Sequence, residues 1–85
     1  MGSKVNPLLI SSVNRLEAAI DRLKSLKNQK NSMEYKNAEI AWRNAEKQYC
    51  NQPGLVEDNS PNALTKDEAL KEVDKLVNKV ASWYV

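Results

Sequence analysis

The side chains of this chain that could take part in chemistry are one thiol and a few carboxylate pairs. Cys50 could act as a nucleophile, but its nearest charged neighbours are Glu46 and Lys47, and neither is an evident general base. The chain has no histidine, so Ser-His-Asp and Cys-His arrangements cannot be built. We therefore expect Cys50 to be an unreactive, partly buried thiol.

The acidic pairs are no better candidates for catalysis. Glu17 with Asp21 and Glu68 with Glu72 lie at helical spacing on charged faces, where separate ionisation in water is the default. A single cysteine without histidine cannot form a common zinc site, and the two glycines lie too far apart for a phosphate-binding loop. We expect no catalytic, cofactor-binding or metal-binding residues, and no enzymatic activity.

The first candidate helix covers residues 7–29 and follows a flexible N-terminus, residues 1–6. Pro7 suits a first turn because it has no amide hydrogen to leave unpaired, and Asn6 can serve as the N-cap. Apolar residues then alternate at spacings of four and three: Leu9, Val13, Leu16, Ile20 and Leu23.

The second candidate helix covers residues 32–51. Asn31 and Glu34 have the spacing of a capping box, and Pro53 with Gly54 ends the helix. Alanines and aromatic residues alternate along its predicted buried side: Tyr35, Ala38, Trp42, Ala45 and Tyr49. Residues 52–64 are predicted to be a loop.

The third candidate helix covers residues 65–84. Thr65 and Glu68 have the spacing of a full capping box. One apolar stripe follows and continues to the end of the chain: Leu70, Val73, Leu76, Val77, Val80, Trp83 and Tyr84.

These elements predict an all-α fold with a single helical domain over residues 7–85. The expected architecture is a three-helix antiparallel bundle, or a helical hairpin with a docked C-terminal helix. A core in 85 residues barely offsets the conformational entropy of the chain, and no disulfide or zinc site is available to help. Oligomerisation or good helix packing must therefore contribute.

We expect a non-catalytic protein interaction or assembly module, such as an adaptor, an inhibitor or a structural component, acting through amphipathic helix faces. Its partner is another protein or a second copy, and no small-molecule substrate is expected. Aromatic and apolar residues near the terminus, together with two on the second helix, are the candidate interface: Trp83, Tyr84, Val85, Val80, Trp42 and Ile40.

The alternative is a weakly basic regulator that binds nucleic acid through the first helix. Its candidate residues are Arg15, Arg22, Lys24, Lys27 and Lys30. Acidic residues interrupt this set, no aromatic is interleaved for base stacking, and the net charge is only +2. Protein association is therefore the favoured hypothesis.

Several features bear on location and source. We expect no membrane span and no secretory signal, and therefore a cytoplasmic protein or one delivered without a classical signal peptide. Frequent asparagine and lysine favour an AT-rich coding source such as a bacterium or a phage.

Overall fold

The computed structural model describes residues 2–84 and is mostly helical, with a small two-stranded sheet in addition. The elements in chain order are β1 (Gly2–Val5), α1 (Pro7–Ser25), α2 (Met33–Asn51), β2 (Leu55–Asp58) and α3 (Lys66–Ser82). The predicted helical character is confirmed, and the sheet is what the sequence interpretation missed. Within residues 2–84, no helix combines the length and the apolar character that crossing a membrane requires.

Helix α1 starts where the sequence predicts and ends earlier. The Asn6 side-chain oxygen accepts a hydrogen bond from the Leu8 amide at 3.0 Å, which confirms the predicted N-cap. The helix ends at Ser25 rather than at residue 29 because the Leu26 amide is shared between the carbonyls of Arg22 and Leu23, each at 3.1 Å. Such shared bonds mark the tighter last turn of a helix.

Helix α2 is capped by Ser32 and not by Asn31. The Ser32 hydroxyl oxygen accepts a hydrogen bond from the Tyr35 amide at 3.1 Å and donates one to the Gln29 carbonyl at 2.7 Å. A serine one residue nearer the helix provides the same capping chemistry, so the helix begins at Met33.

The sheet occupies two segments for which the sequence predicted a flexible N-terminus, residues 1–6, and a loop, residues 52–64. Strands β1 and β2 pair antiparallel, with Gly2 opposite Asp58 and Val5 opposite Leu55. The Ser3 amide also donates to the Leu64 carbonyl at 2.7 Å. Strand β1 is therefore joined to β2 along one edge and to the segment that leads into α3 along the other.

Helix α3 begins with the predicted capping box. The Thr65 hydroxyl accepts from the Glu68 amide at 3.2 Å, and the Glu68 carboxylate accepts from the Thr65 amide at 3.1 Å. The helix ends at Ser82 instead of residue 84, because the Trp83 amide bonds back to the Val80 carbonyl at 3.0 Å in a tighter turn.

The chain divides into two compact units. Unit 1 comprises Met1–Ile10 and Gln52–Val85, and in it α3 packs mainly against β1 and more lightly against β2. Unit 2 is Ser11–Asn51, which contains the greater part of α1 and all of α2. The buried apolar side chains of unit 2 are Val13, Leu16, Ile20, Ala38 and Ala45, and those of unit 1 are Leu9, Ala69 and Val80.

Candidate protein-interaction surfaces

Helix α3 carries two apolar stripes side by side. The inner stripe is buried or half-buried and consists of Ala69, Val73, Leu76, Val80 and Trp83. The second stripe, called here the outer stripe of α3, consists of Leu70, Val77 and Tyr84, which are 41%, 43% and 50% exposed. Leu70 and Val77 are seven residues apart, so they lie along one line of the helix surface, and Tyr84 follows after another seven residues, in the turn beyond Ser82. One helix thus has both a face for its own core and a face left to solvent.

Acidic side chains border the outer stripe on the side away from the core. Asp67 and Asp74 each lie three residues before a stripe member, on the adjacent line of the helix, and both are exposed. Lys66 lies at the N-terminal end of the stripe, and Lys71 lies further round the helix beyond the aspartates. The outer stripe is therefore bordered along its length by negative charge.

The candidate residues near the C-terminus take different positions. Val80 is buried in the inner stripe, so it contributes to the core of unit 1 rather than to the exposed surface. Trp83 is half-buried, with the Lys79 ammonium 5.9 Å from the centre of its ring. Tyr84 belongs to the outer stripe, and Val85 lies outside the described residues.

The outer stripe includes two residues, Leu70 and Val77, that were not among the sequence candidates. The sequence placed them in one continuous apolar stripe with the core residues. Seven-residue spacing also occurs within the inner stripe, so the sequence alone carries no signal that separates Leu70 and Val77 from it.

The two candidates on α2 do not share a surface. Ile40 is well exposed and borders a shallow depression of about 470 Å³ with Arg43, Lys47 and Cys50. Trp42 is half-buried, beside the buried Ala38 and Ala45 in helical spacing. Cys50 is exposed, so the expectation of a partly buried thiol was wrong. It lies one residue before the end of α2.

A groove runs between α1 and α2 within unit 2. Its floor is made of four alanines, Ala18, Ala19, Ala41 and Ala45, and its volume is about 460 Å³. Arg15 and Arg22 lie at its rim on the α1 side. An Arg15 guanidinium nitrogen donates to the Gln48 side-chain oxygen at 3.2 Å, which joins the two helices across it. We call this surface the α1–α2 groove.

The five basic residues of the nucleic-acid alternative are not gathered into one patch. Arg15 and Arg22 share the α1–α2 groove, whereas Lys24 is in the last turn of α1 and is exposed. Lys27 and Lys30 follow the end of that helix. No aromatic residue lines the groove where the structure describes it, so base stacking has no platform there.

Three titratable groups have pKa values shifted by local structure. Hydrogen bonds from the Thr65 amide and hydroxyl lower the pKa of Glu68, and hydrogen bonds from Ser60 lower the pKa of Asp58. Burial raises the pKa of the Tyr49 phenol, with a smaller contribution from Cys50. The shift at Glu68 comes from a helix cap, that at Asp58 from a turn, and that at Tyr49 from packing of its ring. These are structural causes and do not indicate a catalytic site.

The acidic and thiol groups of residues 2–84 do not gather in threes as a metal ion would require. Comparisons with protein-family models, with curated proteins and with solved structures find no match to this chain.

Proposed function

We propose that this protein is a non-catalytic interaction or assembly module that binds another polypeptide through the outer stripe of α3. The observation that carries this proposal is the pairing of two apolar stripes on one helix. A helix that only closes a core needs one apolar face, whereas the second apolar stripe of α3 consists of large side chains that are about half exposed.

The seven-residue spacing also indicates the kind of partner. Leu70 and Val77 form a line that another helix can follow, as in helix-in-groove recognition and in coiled coils, with Tyr84 in the turn at its end. A tyrosine in that line supplies a large, rigid contact area with few rotatable bonds. The partner surface is therefore an apolar helical face or a groove between helices.

The size of the outer stripe limits the strength of binding. Burying one fully exposed apolar side chain contributes about 1.5 to 3 kcal/mol. The three side chains of the outer stripe are about half exposed, so burying the rest of them contributes about 3 kcal/mol to binding. Loss of translational and rotational freedom on association costs about 4 kcal/mol or more. The stripe alone is too small for tight binding, so the charged residues beside it must contribute, and the association is reversible.

The role we propose is that of a small adaptor, inhibitor or structural component in the cytoplasm, without a cofactor or a small-molecule substrate. An antiparallel arrangement of all three helices, either as a bundle or as a hairpin with a docked third helix, is part of the same proposal. In both arrangements α3 presents a second face once its inner stripe is packed.

Affinity purification with matched surface variants tests this proposal. Wild-type protein and the Leu70→Ser/Val77→Ser variant serve as bait in an extract of the source cells, and Lys71→Ser/Lys75→Ser serves as the control on the charged face. A partner retained by the wild type and by the control, but lost with the stripe variant, supports the proposal. Equal retention by all three baits contradicts it.

Nucleic-acid binding by the α1 residues is the weaker alternative, because only Arg15 and Arg22 share a surface. Electrophoretic mobility shift at low salt tests it. A shifted species at micromolar protein, lost in Arg15→Ala/Arg22→Ala, would favour this alternative.

A further inference from the structure

We propose that the outer stripe of α3 binds the α1–α2 groove of a second copy of this chain, so that copies associate with one another. This inference rests on the proposed function and names its partner. It is carried by the complementarity of two surfaces that every copy possesses, one apolar and acidic and the other apolar and basic.

The two units carry charge of opposite sign. Unit 2 has eight basic and five acidic side chains, a net charge of +3, whereas unit 1 has five basic and six acidic side chains, a net charge of −1. The charges closest to the two surfaces follow the same division, with Arg15 and Arg22 at the groove and Asp67 and Asp74 beside the stripe. Two copies therefore attract each other when the groove of one meets the stripe of the other.

The two pairs of charges also have the same spacing along their helices. Arg15 and Arg22 are seven residues apart on α1, and Asp67 and Asp74 are seven residues apart on α3. Because an α-helix rises 1.5 Å per residue, each pair extends about 10.5 Å along its helix. Both aspartates can therefore meet both arginines at once, whichever way the bound helix runs along the groove.

The shape of the groove suits an incoming helix. Its alanine floor presents no long side chain, so a third helix can approach the α1 and α2 backbones closely. Leu70 and Val77 can then point to the floor while the aspartates beside them reach the arginines at the rim. Arg15, whose guanidinium donates to Gln48, can exchange this neutral partner for a carboxylate, which is the stronger acceptor.

Each contact uses a stripe from one copy and a groove from another. Two copies can close a symmetric dimer through two equivalent contacts of this kind, and the same contact can continue from copy to copy into rings or open chains.

Charge reversal on the two surfaces tests this inference by sedimentation equilibrium at low salt. The groove variant is Arg15→Glu/Arg22→Glu, and the stripe variant is Asp67→Lys/Asp74→Lys. Wild-type protein is expected to reach at least twice the monomer mass of 9.6 kDa as concentration rises to millimolar, and to lose mass when salt is added. Each variant alone places like charges at both surfaces, so each is expected to remain monomeric.

An equal mixture of the two variants is the decisive sample. The acidic groove of one variant then matches the basic stripe of the other, and the unchanged surfaces match as in the wild type. The mixture is expected to regain the mass of the wild type. Circular dichroism confirms that each variant is folded, and Asp74→Lys alone replaces the stripe variant if the change at Asp67 weakens the first turn of α3.

Three results would overturn the inference: a monomeric wild-type protein at millimolar concentration, a groove variant that assembles normally, or a mixture that stays monomeric. If the groove variant assembles on its own while the stripe variant stays monomeric on its own, α3 pairs with α3 of the second copy instead. None of these results depends on the partner retention that tests the proposed function. If self-association fails this test, binding of another protein through the outer stripe of α3 is still tested by affinity purification.

Discussion

The side-chain amide of Asn6 donates a hydrogen bond to the carbonyl oxygen of Pro53 at 3.0 Å. The side-chain oxygen of Asn6 caps α1 by accepting a hydrogen bond from the Leu8 amide. The Asn6 backbone amide donates to the Gly54 carbonyl at 3.0 Å. One buried residue thus ends β1, begins α1 and binds the turn before β2. This set of bonds explains how segments nearly fifty residues apart in the chain come to lie together.

Replacing Asn6 with alanine is therefore expected to lower the free energy of unfolding by about 2 kcal/mol. Loss of an N-cap costs about 1 kcal/mol, and leaving the Pro53 carbonyl without its donor adds a comparable amount. Asn6→Asp retains the cap acceptor but replaces the donor with a carboxylate oxygen that faces the Pro53 carbonyl, so it should also be less stable than the wild type. Chemical denaturation measures all three proteins, and an Asn6→Ala variant as stable as the wild type would contradict the assignment.

The helices could be predicted because each carries local signals, whereas the sheet could not. The caps Asn6 and Thr65 directly precede the helices they start, and the apolar periodicity lies within the helices, so each helix start was predicted to within one residue. Strands β1 and β2 have only four residues each, too few to show an alternating pattern. Their pairing depends on contacts between distant segments, and local sequence does not encode such contacts.

Gly2 is expected to tolerate no side chain. A Cβ atom added at Gly2 would overlap the Cβ atom of Ala63, with the Asp58 carbonyl oxygen also close at 3.1 Å. Gly2→Ala should therefore force β1 away from its neighbours and cost about 1 to 3 kcal/mol, the usual penalty for overpacking.

The matched control for this prediction is Gly54→Ala. Its added Cβ would meet the Val73 side chain, whose nearer methyl group lies at 3.2 Å and can shift. Thermal unfolding should show a larger loss for the Gly2 variant than for the Gly54 variant. The reverse order would mean that β1 does not pack as described.

The capping box of α3 should make stability depend on pH. Because hydrogen bonds donated by the Thr65 amide and hydroxyl lower the pKa of Glu68, its carboxylate stabilises the fold above the ordinary glutamate pKa. That contribution is lost as the pH falls through the lowered folded-state pKa. Glu68→Gln should be less stable than the wild type near neutral pH, and the difference should disappear in acid. Denaturation at a series of pH values measures this, and a constant difference would argue against a charged cap.

The core of unit 2 should depend strongly on Leu16, which is fully buried. Leu16→Ala is expected to cost about 3 kcal/mol, because it removes apolar contact and leaves a cavity. That is a large share of the stability of so small a protein. Leu8→Ala, at an exposed leucine of the same helix, should change stability by less than about 0.5 kcal/mol. Similar effects at both positions would contradict the assigned burial.

The candidate surface was predictable in part. Aromatic residues at the end of an apolar stripe identified α3 as the helix to examine, and Tyr84 belongs to the exposed line. Burial of Val80 and exposure of Leu70 depend on which side of α3 packs against β1. The sequence interpretation had no β1, so it had no means of dividing the apolar residues of α3 into an inner and an outer stripe.

Site-specific photo-crosslinking tests the central claim, that the outer stripe of α3 is covered by another polypeptide, most directly. Val77 is replaced with p-benzoylphenylalanine, and Lys75, on the charged side of the same helix, receives the same replacement as a control. Irradiation in source extract and of the purified protein should yield a discrete crosslinked polypeptide from position 77 in at least one sample, and none from position 75. Equal crosslinking at both positions, or none at position 77 in either sample, would contradict the account.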